Sequence, residues 1–447
     1  IIDTQKPVIS NLKVNGKTIT ATLTDNEGLK AYGFSTSNTV EPTSWTTISG
    51  KTYNLNTTIN TEGTYYLWVK DGAGNKAVSN VIDLEKKGWQ TILANNTVNE
   101  TTPDFSKVTT ASEKGLYKAD DDYTATTGMK SYYFRGAVDN NWVKFGKDST
   151  GKDIYWRIIR INGDGSIRMI YTGTTAPTES TKVVMTGPGT QIGTSAFNNG
   201  AYNNSEYVGY MYTLGQQYGT NTPSTIKTTI DNWYAETTLE KDAATKKLVS
   251  QDQIFCNDRS PSSIQTAAWT STGANYSYGA NGRISSDKTP ILKCGAASDK
   301  FTSKNSSIGN KALEYPVGLI TADEIAMAGG VYGSSNSNSS YYLYTNQFYW
   351  SGSPYYFRSS GIAYGFTVSS LGYVTSSYVP YDIGARPVIS LSSEAKLTGD
   401  GTWNNVYEVE KKGYETILAN NTVHETAPDF TKTATTNEGL FKAQDDL

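Results

Sequence analysis

Apolar and polar residues alternate along much of the first 84 positions. KTITATLT, AYGFSTS and TYYLWVK each change side-chain character at every second residue, the period of a half-buried strand. Asn15-Gly16, Asn26-Glu27-Gly28 and Asp71-Gly72-Ala73-Gly74-Asn75 stand between them, and these are turn residues. Short strands at this spacing predict a β-sandwich over residues 1–84.

The pattern is mixed over residues 124–410. SYYFRGAVDNNWVKFG alternates and predicts strand. In YWRIIRINGDGSIRMIYTG two β-branched runs flank Asn162-Gly163-Asp164-Gly165, which predicts a hairpin with Asp164 as a turn residue and not a calcium ligand. Ile226, Ile230, Trp233 and Tyr234 recur at helical spacing behind Ser224, a good N-cap. Glu236 to Lys247 either continues or breaks that helix. A second helix is expected from Thr321, where Thr321 and Glu324 have capping-box spacing and Gly329-Gly330 ends the run. Short strands return from Tyr341 and close with VYEV. The expected fold class is mainly β with an α+β second domain.

Residues 86–123 and 411–447 are two copies of one segment, KKGWQTILANNTVNETTPDFSKVTTASEKGLYKADDDY and KKGYETILANNTVHETAPDFTKTATTNEGLFKAQDDL. The repeat predicts an organisation of 1–84, a joint at 85–123, a main domain at 124–410, and a second joint at 411–447, within a longer tandem array. Trp89, Ile92 and Leu93 are expected on one side of a short helix, and Pro103 begins an extended stretch. The repeat also assigns the run Asp120 to Asp122 to the solvated joint, since Asp445 and Asp446 recur there.

Composition narrows the chemistry. The 447 residues carry a formal charge of −3 with no long basic run, so nucleic acid is not an expected partner. No apolar run is long enough to span a membrane, so no membrane insertion is expected within this chain. The single histidine, His424, lies in the second joint opposite Asn99, which leaves no histidine for a Ser-His-Asp triad or a catalytic zinc site in the main domain. No metal site and no cofactor is expected. Cys256 and Cys294 form no CxxC pair; a disulfide between them and two separate buried thiols are the alternatives. Asp323 and Glu324 are explained by a helix start, and no acid–base pair is legible, so the chain is expected not to be an enzyme.

Several motifs carry a resemblance. GTYYLWVKDGAGNKAVSN is similar to the closing hairpin of bacterial immunoglobulin-like domains, which implies a spacer role for residues 1–84. The segments Tyr132–Gly136, Tyr155–Tyr171, Asp231–Tyr234, Phe255–Arg259, Pro316–Glu324 and Ala385–Leu391 resemble modular surface proteins of gut-type Gram-positive bacteria. Those have a C-type-lectin-like fold of the formylglycine-generating-enzyme type. The resemblance implies an extracellular location on a bacterial cell surface. No cysteine follows Cys294, which departs from the enzymes of that superfamily; no Glu-Pro-Asn or Gln-Pro-Asp loop occurs in the main domain, which departs from calcium-dependent lectins.

The expected ligand-binding residues are Tyr355, Tyr356, Phe357, Arg358, Tyr364, Tyr373, Tyr378 and Tyr381, aromatic rings and one arginine among Ser and Gly. Tyrosine presents a rigid apolar ring with a polar tip, suited to stacking on sugars or anchoring a protein partner. About half of the rings between Tyr341 and Tyr381 are expected in the core, Trp350 and Phe366 foremost. Arg386 is expected to be a structural ion-pair partner. The Tyr and Ser alternation from Tyr355 to Tyr378 is similar to the diversified surface of retroelement-targeted lectin-like proteins, with Trp350, Gly365, Gly372 and Gly384 to Pro387 as frame. The function expected is a non-catalytic adhesin or ligand-binding protein whose partner is a host or neighbouring-cell glycan or protein. The alternative is a structural surface fibre that self-associates in a tandem array.

Overall fold

The computed structural model describes residues 3–15, 17–84, 86–199, 202–410, 423–424 and 440–441. The second copy of the repeat therefore lies outside the described residues except at two short strands. The chain divides into two units, Ile1–Lys86 and Lys87–Leu447. Strands hold 34% of the residues and helices 16%, which makes the chain mainly β as the alternation predicts.

In the first unit, the strands Val8–Asn15, Thr18–Thr24 and Thr52–Thr58 form one antiparallel sheet, and Leu29–Ser35 and Thr64–Asp71 lead a second. Along Thr18–Thr24 every second side chain is buried, so Ile19, Ala21 and Leu23 all point inward. They share one core with Leu55 of their own sheet and with Leu67 and Val69 of the other. Asp71 ends its strand by folding back on the turn, where Oδ1 accepts from the Gly74 and Asn75 amides.

In the second unit a nine-stranded sheet runs in the order Leu397–Thr398, Tyr407–Val409, Trp142–Lys147, Asp153–Ile161, Ser131–Gly136, Lys114–Ala119 and Val98–Asn99, with Ile167–Gly173 and Val388–Leu391 joined through Asp153–Ile161. The predicted hairpin at Asn162-Gly163-Asp164-Gly165 forms: Gly165 takes φ 85°, and Asp164 Oδ1 accepts from the Ser166 amide and hydroxyl. Residues 87–123 are built into this unit. Gly88–Ala94 is a short helix whose first amide donates to the Ala395 carbonyl, and two strands of the repeat extend the sheet. Val98 and Asn99 pair in parallel with Leu116 and Tyr117; in the second copy Val423 and His424 pair in the same way with Leu440 and Phe441. Equivalent residues of the two copies thus make the same strand pair.

Both predicted helix starts are present. Ser224 Oγ caps Thr225–Glu236, and residues 236–247 continue as two further short helices, Thr238–Lys241 and Ala243–Lys247. Thr321 and Glu324 make both bonds of the capping box at the head of Ala322–Ala328. Cys256 and Cys294 are joined in a disulfide. It closes the long irregular excursion between these helices, at the short strand Phe255–Cys256, which pairs with Lys300–Phe301.

The bridge closes a loop of 38 residues, for which the chain-entropy estimate is about 4 kcal/mol. Replacing both cysteines by serine is expected to lower stability by that amount in urea unfolding, and dithiothreitol is expected to lower the native protein to the same level. Equal unfolding midpoints for all of these would show that the loop is ordered without the bridge.

Candidate ligand-binding surface

A six-stranded sheet carries the aromatic segment. Its centre is Tyr349–Arg358 paired with Ile362–Val368, which pairs in turn with Val374–Tyr378. The pairing partners set the faces. Tyr356 lies opposite Tyr364 and Tyr364 opposite Tyr378, so these side chains share one face. The register shifts between Pro354 and Tyr356, leaving Tyr355 as the extra residue of a bulge. A bulge turns consecutive side chains toward the same side, and the Tyr355 and Tyr356 rings stand 6.2 Å apart.

The rings form a continuous ladder. Tyr355 meets Tyr364 at 6.4 Å and Phe366 at 5.0 Å. Tyr364 meets Tyr378 edge-on at 4.5 Å, and Tyr378 meets Tyr381 at 5.1 Å. Arg358 lies over Tyr364 with its guanidinium carbon 5.1 Å from the ring centre. Exposure varies along the ladder: Phe366 is fully buried, Tyr364 is 7% exposed with its hydroxyl sealed from solvent, Tyr355, Tyr356 and Tyr378 are half-buried, and Tyr381 is 54% exposed. Edge-to-face contacts of this kind hold rings in place before a ligand arrives. Burial raises the phenols of Tyr355 and Tyr364, the latter to about 12.

The base under the ladder is close-packed. Trp350 is fully buried and donates its indole N–H to the Ser195 carbonyl at 2.8 Å. A Cβ on Gly365 would meet the Trp350 ring at 3.2 Å, and Gly372 takes φ 82° where a Cβ would strike the Asn338 carbonyl. Both glycines are required by this geometry. Trp350 and Phe366 are the core rings the sequence predicts.

Three sequence expectations for this region change. Tyr364 is buried with its hydroxyl sealed from solvent, so it supports the neighbouring rings and is not itself a ligand contact. Phe357 pairs with Ala363 on the opposite face and has no exposed surface, so it is a core residue and not a ligand contact. Tyr373 is half-buried in the Ser369–Val374 turn, outside the ladder. One member was missed: Tyr332 stacks on Tyr355 at 5.8 Å, and the two hydroxyls are 2.8 Å apart. It arrives from the segment after the second capped helix, through a bridge to Val374. Only that long-range pairing identifies it.

Several of the acidic residues are buried, although Asp120 is exposed. Asp121 is buried and pairs with Arg160 Nη1 at 2.9 Å. Arg160 Nε reaches Glu324 Oε1 at 2.9 Å, and Arg168 Nε reaches the same oxygen at 2.6 Å. Arg283 bridges Asp258 and Asp323 at 2.6 and 2.8 Å, and Arg259 pairs with Asp299 at 2.6 Å. The expectation that the Asp120 to Asp122 run is a solvated joint fails at Asp121, because a buried Arg160 needs a counter-charge. The space lined by Asp122, Arg283, Asp323 and Glu324 is about 20 Å³, room for one water-sized sphere. Arg386 is structural, as expected, but its partners are the carbonyls of Tyr171 and Leu343 and the Tyr349 ring, not a carboxylate. Comparison with protein-family models, with curated proteins and with solved structures found no match for this chain.

Burial alone would raise the Glu324 carboxyl, but Arg168 and Arg160 outweigh it and hold the group below its ordinary value. Its contribution to stability is therefore complete above the unfolded value of about 4.3 and disappears as the pH falls through the folded value. Glu324→Gln keeps the cap but leaves two arginines short of a charge, and is expected to cost about 3–5 kcal/mol at neutral pH. Measured by urea titration, the loss should shrink below pH ~4, as the native carboxyl becomes protonated too. In the ladder, Phe357→Ala is expected to cost about 3–5 kcal/mol, whereas Tyr381→Ala should change stability by less than about 0.5 kcal/mol. Calorimetry giving the two variants equal midpoints would contradict the assignment of faces.

Proposed function

We propose that this chain is a non-catalytic, extracellular binding protein of a bacterial surface, in which the tyrosine ladder of the second unit contacts the ligand. The observation that carries this reading is the ladder itself. Rings held against one another on a packed sheet, with Tyr355, Tyr356 and Tyr378 half-buried and Tyr381 exposed, form a pre-ordered apolar surface with hydroxyl tips. Such a surface suits stacking on a sugar ring or anchoring a protein hot spot. Arg358 is exposed and forms no ion pair among the described residues, which leaves its charge for a ligand.

Supporting observations come from the rest of the molecule. The disulfide fits an oxidising, extracellular compartment. The buried carboxylates named above are each held by an arginine, an arrangement that serves structure more readily than proton transfer. The two sheets and shared core of the first unit are consistent with an immunoglobulin-like spacer. In the second unit, Tyr407–Val409 pairs in parallel with Trp142–Lys147. That closure, with two capped helices and a disulfide-closed excursion, is consistent with the lectin-like resemblance. The repeated strand pair at Val423 to Phe441 favours display in tandem, and so keeps a surface fibre as a second reading.

The test is a glycan and host-protein binding array probed with the native chain and with a Tyr356→Ala, Arg358→Ala, Tyr378→Ala, Tyr381→Ala variant. We expect at least about a tenfold loss of binding to whichever ligand the native chain retains, with the native fold kept as read by circular dichroism. Undiminished binding by the variant would place the ligand elsewhere. Filaments of the native chain in negative stain, with no array binding, would favour the fibre.

A further inference from the structure

Three aspartates from distant parts of the first unit converge. Asp3 lies in the lead segment before Val8–Asn15, Asp25 in the turn after Thr18–Thr24, and Asp71 at the end of Thr64–Asp71. One carboxylate oxygen of each lies within 4.8 Å of the other two. Asp71 is fully buried, Asp25 is 8% exposed, and Asp3 is half-buried.

Local bonds occupy one oxygen of Asp3 and of Asp25, and both oxygens of Asp71. Asp25 Oδ1 accepts from the Glu27 and Gly28 amides at 3.0 and 2.7 Å, and Asp3 Oδ1 accepts from the Gln5 amide at 3.0 Å. Asp71 uses both oxygens, Oδ1 for the turn amides and Oδ2 for Asn75 Nδ2 at 2.7 Å. Asp3 Oδ2 and Asp25 Oδ2 are sealed from solvent and accept nothing. Among the described residues no lysine or arginine pairs with any of the three. A buried carboxylate oxygen without a donor is costly, and two of them beside a third carboxylate are more so.

We propose that Asp3, Asp25 and Asp71 bind a divalent cation of the calcium type. The donor set is oxygen alone, which selects a hard cation over zinc or copper. Calcium–oxygen distances of about 2.4 Å place ligands on opposite sides of one ion about 4.8 Å apart, so a single ion is compatible with the observed separations. The ion satisfies the two orphaned oxygens and ties the lead segment to two turns. Each aspartate also reads as an ordinary turn or lead-segment residue, so nothing in the local sequence marks the set.

The test uses the full chain after EDTA treatment and dialysis. Calcium uptake is measured by equilibrium dialysis for the native chain, Asp25→Asn and Asp3→Asn, with magnesium as a second arm. The Asp25→Asn side chain keeps the Oδ1 acceptor for both turn amides and removes the charge and the orphaned oxygen. The native chain is expected to bind one more calcium per chain than either variant. Calcium should raise its unfolding temperature by several degrees and leave the variants unmoved. Equal uptake by all three, or none by the native chain up to about 10 mM calcium, roughly tenfold above the weakest extracellular sites, overturns the site. Should Asp25→Asn lose its native circular dichroism, Asp3→Asn decides, because its side chain lies in the half-buried lead segment.

Discussion

Arg160 is almost entirely buried, and a charge in that position must be matched. Its guanidinium reaches Asp121 at the end of the repeated segment and Glu324 in the first turn of a helix, while Arg168 shares the same glutamate. This one cluster of charges therefore ties the N-terminal strands, the central hairpin and the capped helix of the second unit. Arg283 and Arg259 extend the same pattern to the disulfide-closed excursion through Asp258, Asp323 and Asp299. These pairs explain why the segment read as a joint is integral to the fold. Without residues 87–123, Arg160 would lose Asp121 and the sheet would lose two strands.

The same network shapes what the second unit can do. Carboxylates committed to arginines are poor candidates for acid–base chemistry, and the cysteines are oxidised. The proposed role rests on the accessible rings of the aromatic face. The rigidity of that face comes from fully buried neighbours, Phe366 on the same face and Trp350 and Phe357 beneath it. A ligand meeting Tyr356, Tyr378 or Tyr381 finds rings whose rotamers are already restricted by neighbours, so little entropy remains to be lost on binding.

Features determined by neighbours in sequence were legible. The alternation of Ile19, Ala21 and Leu23, the turn at Asn162-Gly163-Asp164-Gly165, and the caps at Ser224 and Thr321 all appear where local chemistry places them. Features created by long-range pairing were not. Asp121 looks like one of three solvated acids until Arg160 is seen beside it. Tyr332 joins the ladder only through its bridge to Val374. Phe357 is aromatic and sits in a tyrosine-rich run, yet the bulge at Tyr355 resets the alternation and sends it into the core. A binding residue and a core residue differ here by one position along the strand, a distinction that composition does not encode.

Half of this aromatic segment faces solvent on a rigid base, and the proposed role stands or falls with that division. Hydroxyl-radical footprinting of the native chain, read by mass spectrometry, measures it directly. Rapid modification of Tyr356, Tyr378 and Tyr381 is predicted, with Trp350, Phe357 and Phe366 protected until the protein unfolds. Protection of all the rings, or modification of Phe357 at the rate of Tyr381, would contradict it.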